Sequence, residues 1–189
     1  MPAWNPFRSR PAASPAAALY AAIVERARDP RFYALGGVPD SLDGRFEMVA
    51  LHGYLVLRRL RGAGEAAEAM AQALVDTLFA DMDASLREMG AGDLGVGKRV
   101  KRMATGFYGR VAAYDEGQAR GDVREALGRN LYGTVSPRPE ELEAMSRYLA
   151  GADASLARQP VPDILAGRPE FGEPDFRLAA MAESQRSRP

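Results

Sequence analysis

An all-α, single-domain helical bundle of about six helices follows from three features of this chain. Apolar residues recur at three- and four-residue spacing along most of its 189 residues. No stretch alternates apolar and polar residues as a half-buried strand would. Residues that start and stop helices stand at the ends of the periodic runs. The chain is long enough to bury a core without covalent staples, and it contains no cysteine. That excludes a disulfide framework, a thiolate nucleophile and any cysteine-ligated metal centre, and it suits a reducing compartment. With 25 acids and 25 bases the formal net charge is zero. There is no global field to draw the protein onto DNA, so electrostatic recognition must be local.

Residues 1–13, with Pro2, Pro6, Pro11 and the single tryptophan Trp4, read as an extended or disordered arm. Ser14 has the chemistry of a helix cap and Pro15 that of a first helical residue, opening a helix that Asp29-Pro30 ends near Arg28. The apolar run Ala16 to Val24 within it is mostly alanine, and no small-x-small cleavage site follows. It fits neither an export signal nor a membrane span of about 20 residues. A connector holding Phe32, Tyr33 and Gly36-Gly37-Val38-Pro39 leads to a second helix, Leu42 to Leu60. This one is apolar on nearly every side from Phe46 to Leu57, the pattern of a helix surrounded by others. Arg58, Arg59 and Arg61 crowd its end, where cations complement the helix dipole, and Gly62 terminates it.

The third helix, about Glu65 to Met89, carries the stripe Ala71, Leu74, Val75, Leu78, Met82, Leu86 and Met89. The fourth, about Val96 to Asp115, carries Val100, Met103, Ala104, Phe107, Val111 and Tyr114. Shorter helices are expected at about Asp122 to Tyr132 and about Glu140 to Ala157, with Pro160, Pro162 and Gly167 breaking regularity afterwards. The helical domain then covers residues 14–167. Residues 168–189 read as a mobile tail with a short amphipathic piece at Phe176 to Met181.

Charge is most unevenly distributed around the glycine-rich joint Gly90 to Gly97. Residues 65–93 hold seven acids against Arg87 alone, while residues 94–111 hold five bases and no acid. The only two lysines, Lys98 and Lys101, alternate with Arg99 and Arg102 just after the joint. At about 100° per residue, Lys98 and Arg102 point away from the apolar stripe of the fourth helix and Arg99 and Lys101 flank it. On the third helix Asp76 and Asp83 lie opposite the stripe, and Asp83 stands four residues before Arg87, spaced for an exposed pair. Asp81 falls at the stripe's edge, where a carboxylate needs a partner. An antiparallel hairpin would lay the acidic helix beside the basic one, and simple internal neutralisation is one reading. The other is an external anionic partner, because cations at a helix start oppose the dipole.

Catalytic constellations are missing. His52 is the only histidine and sits on the apolar second helix, the setting of a hydrogen-bonded core histidine rather than of a metal ligand or base. Gly92-x-x-Gly95-x-Gly97-Lys98 lacks the spacing and the preceding strand of a phosphate loop. No serine stands with a second base-bearing partner. The chain reads as non-enzymatic, with no cofactor.

The stretches Phe79-Ala80-Asp81-Met82-Asp83-Ala84-Ser85-Leu86-Arg87-Glu88-Met89-Gly90 and Gly92-Asp93-Leu94-Gly95-Val96-Gly97-Lys98-Arg99-Val100-Lys101-Arg102-Met103, followed by Phe107-Tyr108-Gly109-Arg110, resemble the ubiquinol-cytochrome c chaperone family. So do Phe32-Tyr33, Gly37-Val38-Pro39-Asp40, Leu42 to Phe46 and Leu55 to Leu60, giving a similarity from roughly Leu19 to Leu149. Gly106 inside the fourth helix and the long polar tail depart from the family pattern. The resemblance implies an all-helical, non-catalytic assembly factor for the respiratory bc1 complex that engages newly made cytochrome b. In mitochondria such proteins work near the ribosomal exit with a small partner protein. An arginine- and alanine-rich chain implies a bacterial member, in the cytoplasm and peripheral at the inner membrane, with the matrix as the corresponding site for eukaryotic relatives. On this reading Lys98, Arg99, Lys101 and Arg102 form a recognition surface that Asp81, Asp83 and Asp93 position or complement. Two other classes stay open: a ribosome or RNA docking module, and a helical pocket for a lipid or quinone.

Overall fold

Ser14 caps the first helix as its chemistry requires: its hydroxyl accepts a hydrogen bond from the Ala17 N–H at 3.2 Å, with Pro15 next in line. The computed structural model describes residues 14–88, 93–177 and 180, and the side chains of these except 85–103. The described residues form eight helical segments and no strand: α1 (Pro15–Ala27), α2 (Pro30–Ala34), α3 (Leu42–Leu60), α4 (Glu65–Glu88), α5 (Asp93–Arg120), α6 (Arg124–Asn130), α7 (Pro139–Arg158) and α8 (Val161–Leu165). The expected number of about six omits α2 and α8. Each is barely more than one turn with a proline in its first turn, too short to display a periodicity. The expected arm of residues 1–13, Trp4 included, lies outside the described residues.

The helix read as central is central. Every residue from Glu47 to Val56 of α3 is buried, because α1, α4, α5 and α7 all pack against it. Beside it α1 and α4 lie on one another, α6 joins α5 to α7, and α8 touches α1 and α4. The α4 stripe Leu74, Val75, Leu78 and Met82 is buried as its spacing predicts, and so are Phe107 and Tyr114 of α5. Side chains of this size each stabilise the fold by roughly 1.5–3 kcal/mol when taken from water. Among the described residues no helix is long and apolar enough to cross a membrane.

The fifth helix is longer than expected at both ends. It starts at Asp93, so Gly95 and Gly97 are helical, and it continues through Gly106. At its far end Gly121, at φ +72°, stops it: the Asp122 N–H reaches the Gly117 carbonyl at 3.0 Å and the Gly121 N–H that of Gln118 at 3.1 Å. The Asp115 to Arg120 stretch carries little apolar signal because buried Gly117 contributes no side chain to the stripe.

The expected mobile tail begins too early. Phe171 and Phe176 are each only 3% exposed and belong to the core. Gln159, also buried, accepts from the Glu170 N–H at 3.0 Å and donates to the Arg168 carbonyl at 2.6 Å. One side-chain amide and two rings thus hold an irregular segment that has no helical period to announce it. Residues 181–189 lie outside the described residues.

Candidate partner-binding surface

α4 and α5 form the expected antiparallel hairpin. Phe79 and Phe107 meet edge to face, ring centroids 6.0 Å apart, on either side of the joint. Lys98, Arg99, Lys101 and Arg102 therefore lie on the opening turns of α5, and Asp93 is its first residue. The side chains of all five lie outside the described residues, as does that of Arg87, the expected partner of Asp83. Asp83 is half-buried. Asp81 is turned toward α1, where it accepts a hydrogen bond from the Tyr20 hydroxyl at 3.0 Å. This is the partner that its place at the stripe edge demanded, and it anchors α4 to α1. Burial together with the adjoining carboxylate holds the Tyr20 phenol far above its ordinary pKa. Of the residues proposed to complement the basic tetrad, Asp81 thus has a structural engagement elsewhere.

Beyond the tetrad α5 presents an outward face of Thr105, Tyr108, Gly109 and Ala112, with Tyr108 54% exposed. The one charge between Met103 and Tyr114 is Arg110, and it is turned inward. Its Nε donates to Glu47 Oε2 at 2.6 Å, its Nη2 to Glu47 Oε1, and its guanidinium lies 5.3 Å from the centre of the Phe46 ring. Burial keeps the Glu47 carboxyl above its ordinary pKa in spite of the guanidinium, and the carboxylate in turn raises Arg110. Gly106 lies beside this pair. A Cβ at this position would lie 2.8 Å from Arg110 Nη1, the guanidinium nitrogen not bonded to Glu47, so a larger residue one turn before Arg110 would make that tip shift. Sequence reasoning missed this pair. Its signal was mutual: a lone acid in the apolar run of α3 and a lone base in the apolar half of α5.

The buried His52 is a structural residue, as expected. Its Nδ1 donates to the Met48 carbonyl at 2.7 Å, leaving Nε2 to accept from the Tyr148 hydroxyl at 2.7 Å. Burial pulls its pKa down to about 4. Rings of Phe32 and Phe171 meet it edge-on at 5.6 and 4.9 Å. Among the described residues no cluster of potential metal ligands exists.

A family model described as ubiquinol-cytochrome C chaperone matches residues 35–171, from the end of α2 to the packed segment after α8. The chain belongs to this family. The match takes in the whole of this chaperone-family member's α3 to α8, including the charged hairpin and the Glu47–Arg110 pair. Similar proteins include the ubiquinol-cytochrome-c reductase complex assembly factor 1 of Xenopus laevis, 28% identical over 69% of this chain and 66% of that protein. The mouse protein of the same name is 26% identical over 69% of this chain and 45% of its own length. The chain thus spans less than two thirds of these curated relatives. Among solved structures, the crystal structure of the Cbp3 homolog from Brucella abortus superposes with a TM-score of 0.75 at 37% identity, covering 84% of this chain and 89% of that one.

Proposed function

We propose that this protein is a non-catalytic assembly factor for the ubiquinol-cytochrome c reductase (bc1) complex, and that it binds newly made cytochrome b through the outward face of α5. The family match over residues 35–171 carries the first half of this reading. The second half rests on how α5 divides. Four cations open it, and an uncharged strip around the exposed Tyr108 follows, with Arg110 withdrawn to Glu47. An unassembled membrane protein offers such a surface apolar helices flanked by charged ends. The small residues Gly109 and Ala112 let a helix approach beside the exposed Tyr108 ring, while the tetrad engages acidic or phosphate-bearing groups at the helix end.

The test is capture of cytochrome b from detergent extracts by the full chain. Reversal of the tetrad (Lys98, Arg99, Lys101 and Arg102 each to Glu) should abolish capture with helicity retained, and Tyr108→Asp should weaken it about tenfold. Capture equal to wild type by the folded charge-reversed variant removes the tetrad from the interface. Capture by neither protein removes cytochrome b as the partner.

A further inference from the structure

Residues 168–176 cross the surface between α1, α2 and α7 as an irregular strap. Clefts of ≈ 730 Å³ and ≈ 300 Å³ open on its two sides, and both are lined by Phe171 and Glu173. The groove under the strap is thus wider than the strap itself. Two rings descend into it: Phe171 onto His52, and Phe176 onto Phe32 at 5.8 Å. Between them Glu173, 71% exposed, divides its carboxylate between Arg26 at 3.3 Å and Arg31 at 2.6 Å. Arg26, Arg28 and Arg31 line the cleft wall with Glu25, Asp29 and Glu173. Asp29 already pairs with Arg31 at 2.5 Å and Arg26 at 3.6 Å, and Glu173 brings the same two guanidinium groups a second carboxylate. Both arginines hold the Glu173 carboxyl below its ordinary pKa. Arg26, Arg31, Glu173 and Phe176 all fall outside the range 35–171 matched by the family model.

We infer that the groove between α1, α2 and α7 is a binding site for an extended acidic peptide with an aromatic residue on each side of its carboxylate, occupied in cis by residues 168–176. The partner is a protein segment of the form aromatic, short spacer, Glu or Asp, short spacer, aromatic. It enters when the strap lifts, with its carboxylate on Arg26 and Arg31 and its rings against Phe32 and His52. A tethered strap competes at an effective concentration in the millimolar range, so a partner of modest affinity is excluded until the strap is displaced. This regulation is independent of cytochrome b, and its test needs none.

The probe is a fluorescent synthetic peptide of residues 168–177, added to the full chain and read by anisotropy. The full-length double variant Glu173→Arg/Phe176→Ala should bind it about tenfold more tightly than wild type, and a peptide carrying Glu173→Arg should bind neither. No peptide binding by the folded double variant, or equal binding of both peptides, overturns the proposal. Hydrogen exchange on the wild-type chain covers the case in which the variant does not fold. Amides of 169–176 should exchange at least about tenfold faster than those of α3. Exchange at the α3 rate means that the strap opens only by global unfolding, and the inference is then wrong.

Discussion

Replacing Arg110 by methionine tests whether the inward ion pair holds α5 to α3. The Glu47 side chain is 7% exposed and that of Arg110 24%. Removing one member of such a pair leaves a buried charge without compensation, a cost of about 3–5 kcal/mol. Because the guanidinium is partly reached by water, the lower end applies, about 3 kcal/mol. For a chain of this size that corresponds to a fall in Tm of roughly 6–12 °C. The loss should depend on pH with a definite sign. Burial already holds the folded-state pKa of Glu47 above its unfolded value, and Arg110 provides the two influences that lower it. Without Arg110 the folded-state value climbs further. Between the unfolded and folded values the folded state then binds more protons than the unfolded state, so stability falls as pH rises. The deficit is fully present above the folded-state pKa. It shrinks as pH falls toward about 4.3, by about 1.4 kcal/mol for each unit by which the variant's folded-state pKa exceeds that of the wild type. Urea unfolding of wild type, Arg110→Met, Glu47→Leu and the double variant, at about pH 5 and about pH 8, measures both effects. The double variant should recover about 2 kcal/mol relative to the sum of the single losses. A deficit for Arg110→Met below about 1 kcal/mol at the higher pH, or one of equal size at both, would refute the argument.

Two further outcomes follow from the same geometry. Gly106→Ala in the Arg110→Met background, where only helix propensity remains, should stabilise by about 0.5–1 kcal/mol, and in the wild type by less because the Arg110 tip must shift; thermal unfolding of the four proteins reads the difference. His52, whose folded-state pKa is depressed to about 4, contributes stability that is present above its unfolded value and lost as pH falls. Between about pH 7 and pH 4 the wild type should therefore lose about 3 kcal/mol more than His52→Gln does, measured by urea unfolding.

Most of the architecture was legible because the helices that matter are long. Ser14, whose hydroxyl accepts from the Ala17 N–H at 3.2 Å, marks the start of α1, and Gly62 the end of α3. The uniform apolarity of Phe46 to Leu57 correctly implies neighbours on every side. What escapes sequence reading lacks a period. α2 and α8 are too short to have one, and the strap is fixed by Gln159, Phe171 and Phe176, three residues that no spacing connects. The arginines at the end of α3 illustrate a different limit. Their position in the sequence points to their own helix dipole. Instead Arg59 donates to the Leu156 and Gln159 carbonyls at the end of α7, while Arg58 and Arg61 converge on Asp115, with Asp153 also bound by Arg58. Sequence tells which end of a helix a cation occupies, not which neighbouring helix ends there too.

Those arginines bear on why the chain uses lysine at all. Asp29-Pro30-Arg31, Asp122-Val123-Arg124 and Asp175-Phe176-Arg177 repeat one device. In each, the aspartate accepts the backbone N–H of the arginine two residues on, and its two oxygens take the Nε and Nη2 of the same guanidinium. Arg110 on Glu47 and Arg59 on the carbonyls of α7 use the same planar fork over longer distances. Internal stapling in this chain is an arginine function, because only the guanidinium presents two parallel donors in a fixed plane. A lysine offers a hydrated point charge with no such fork. At the start of α5 it also opposes the helix dipole, at a cost of a few tenths of a kcal/mol or more. If Lys98 and Lys101 served only to neutralise α4, arginine would do it as it does elsewhere in the fold. Their place at the start of α5, between the acidic α4 and the uncharged strip around Tyr108, is what the proposed cytochrome b surface rests on.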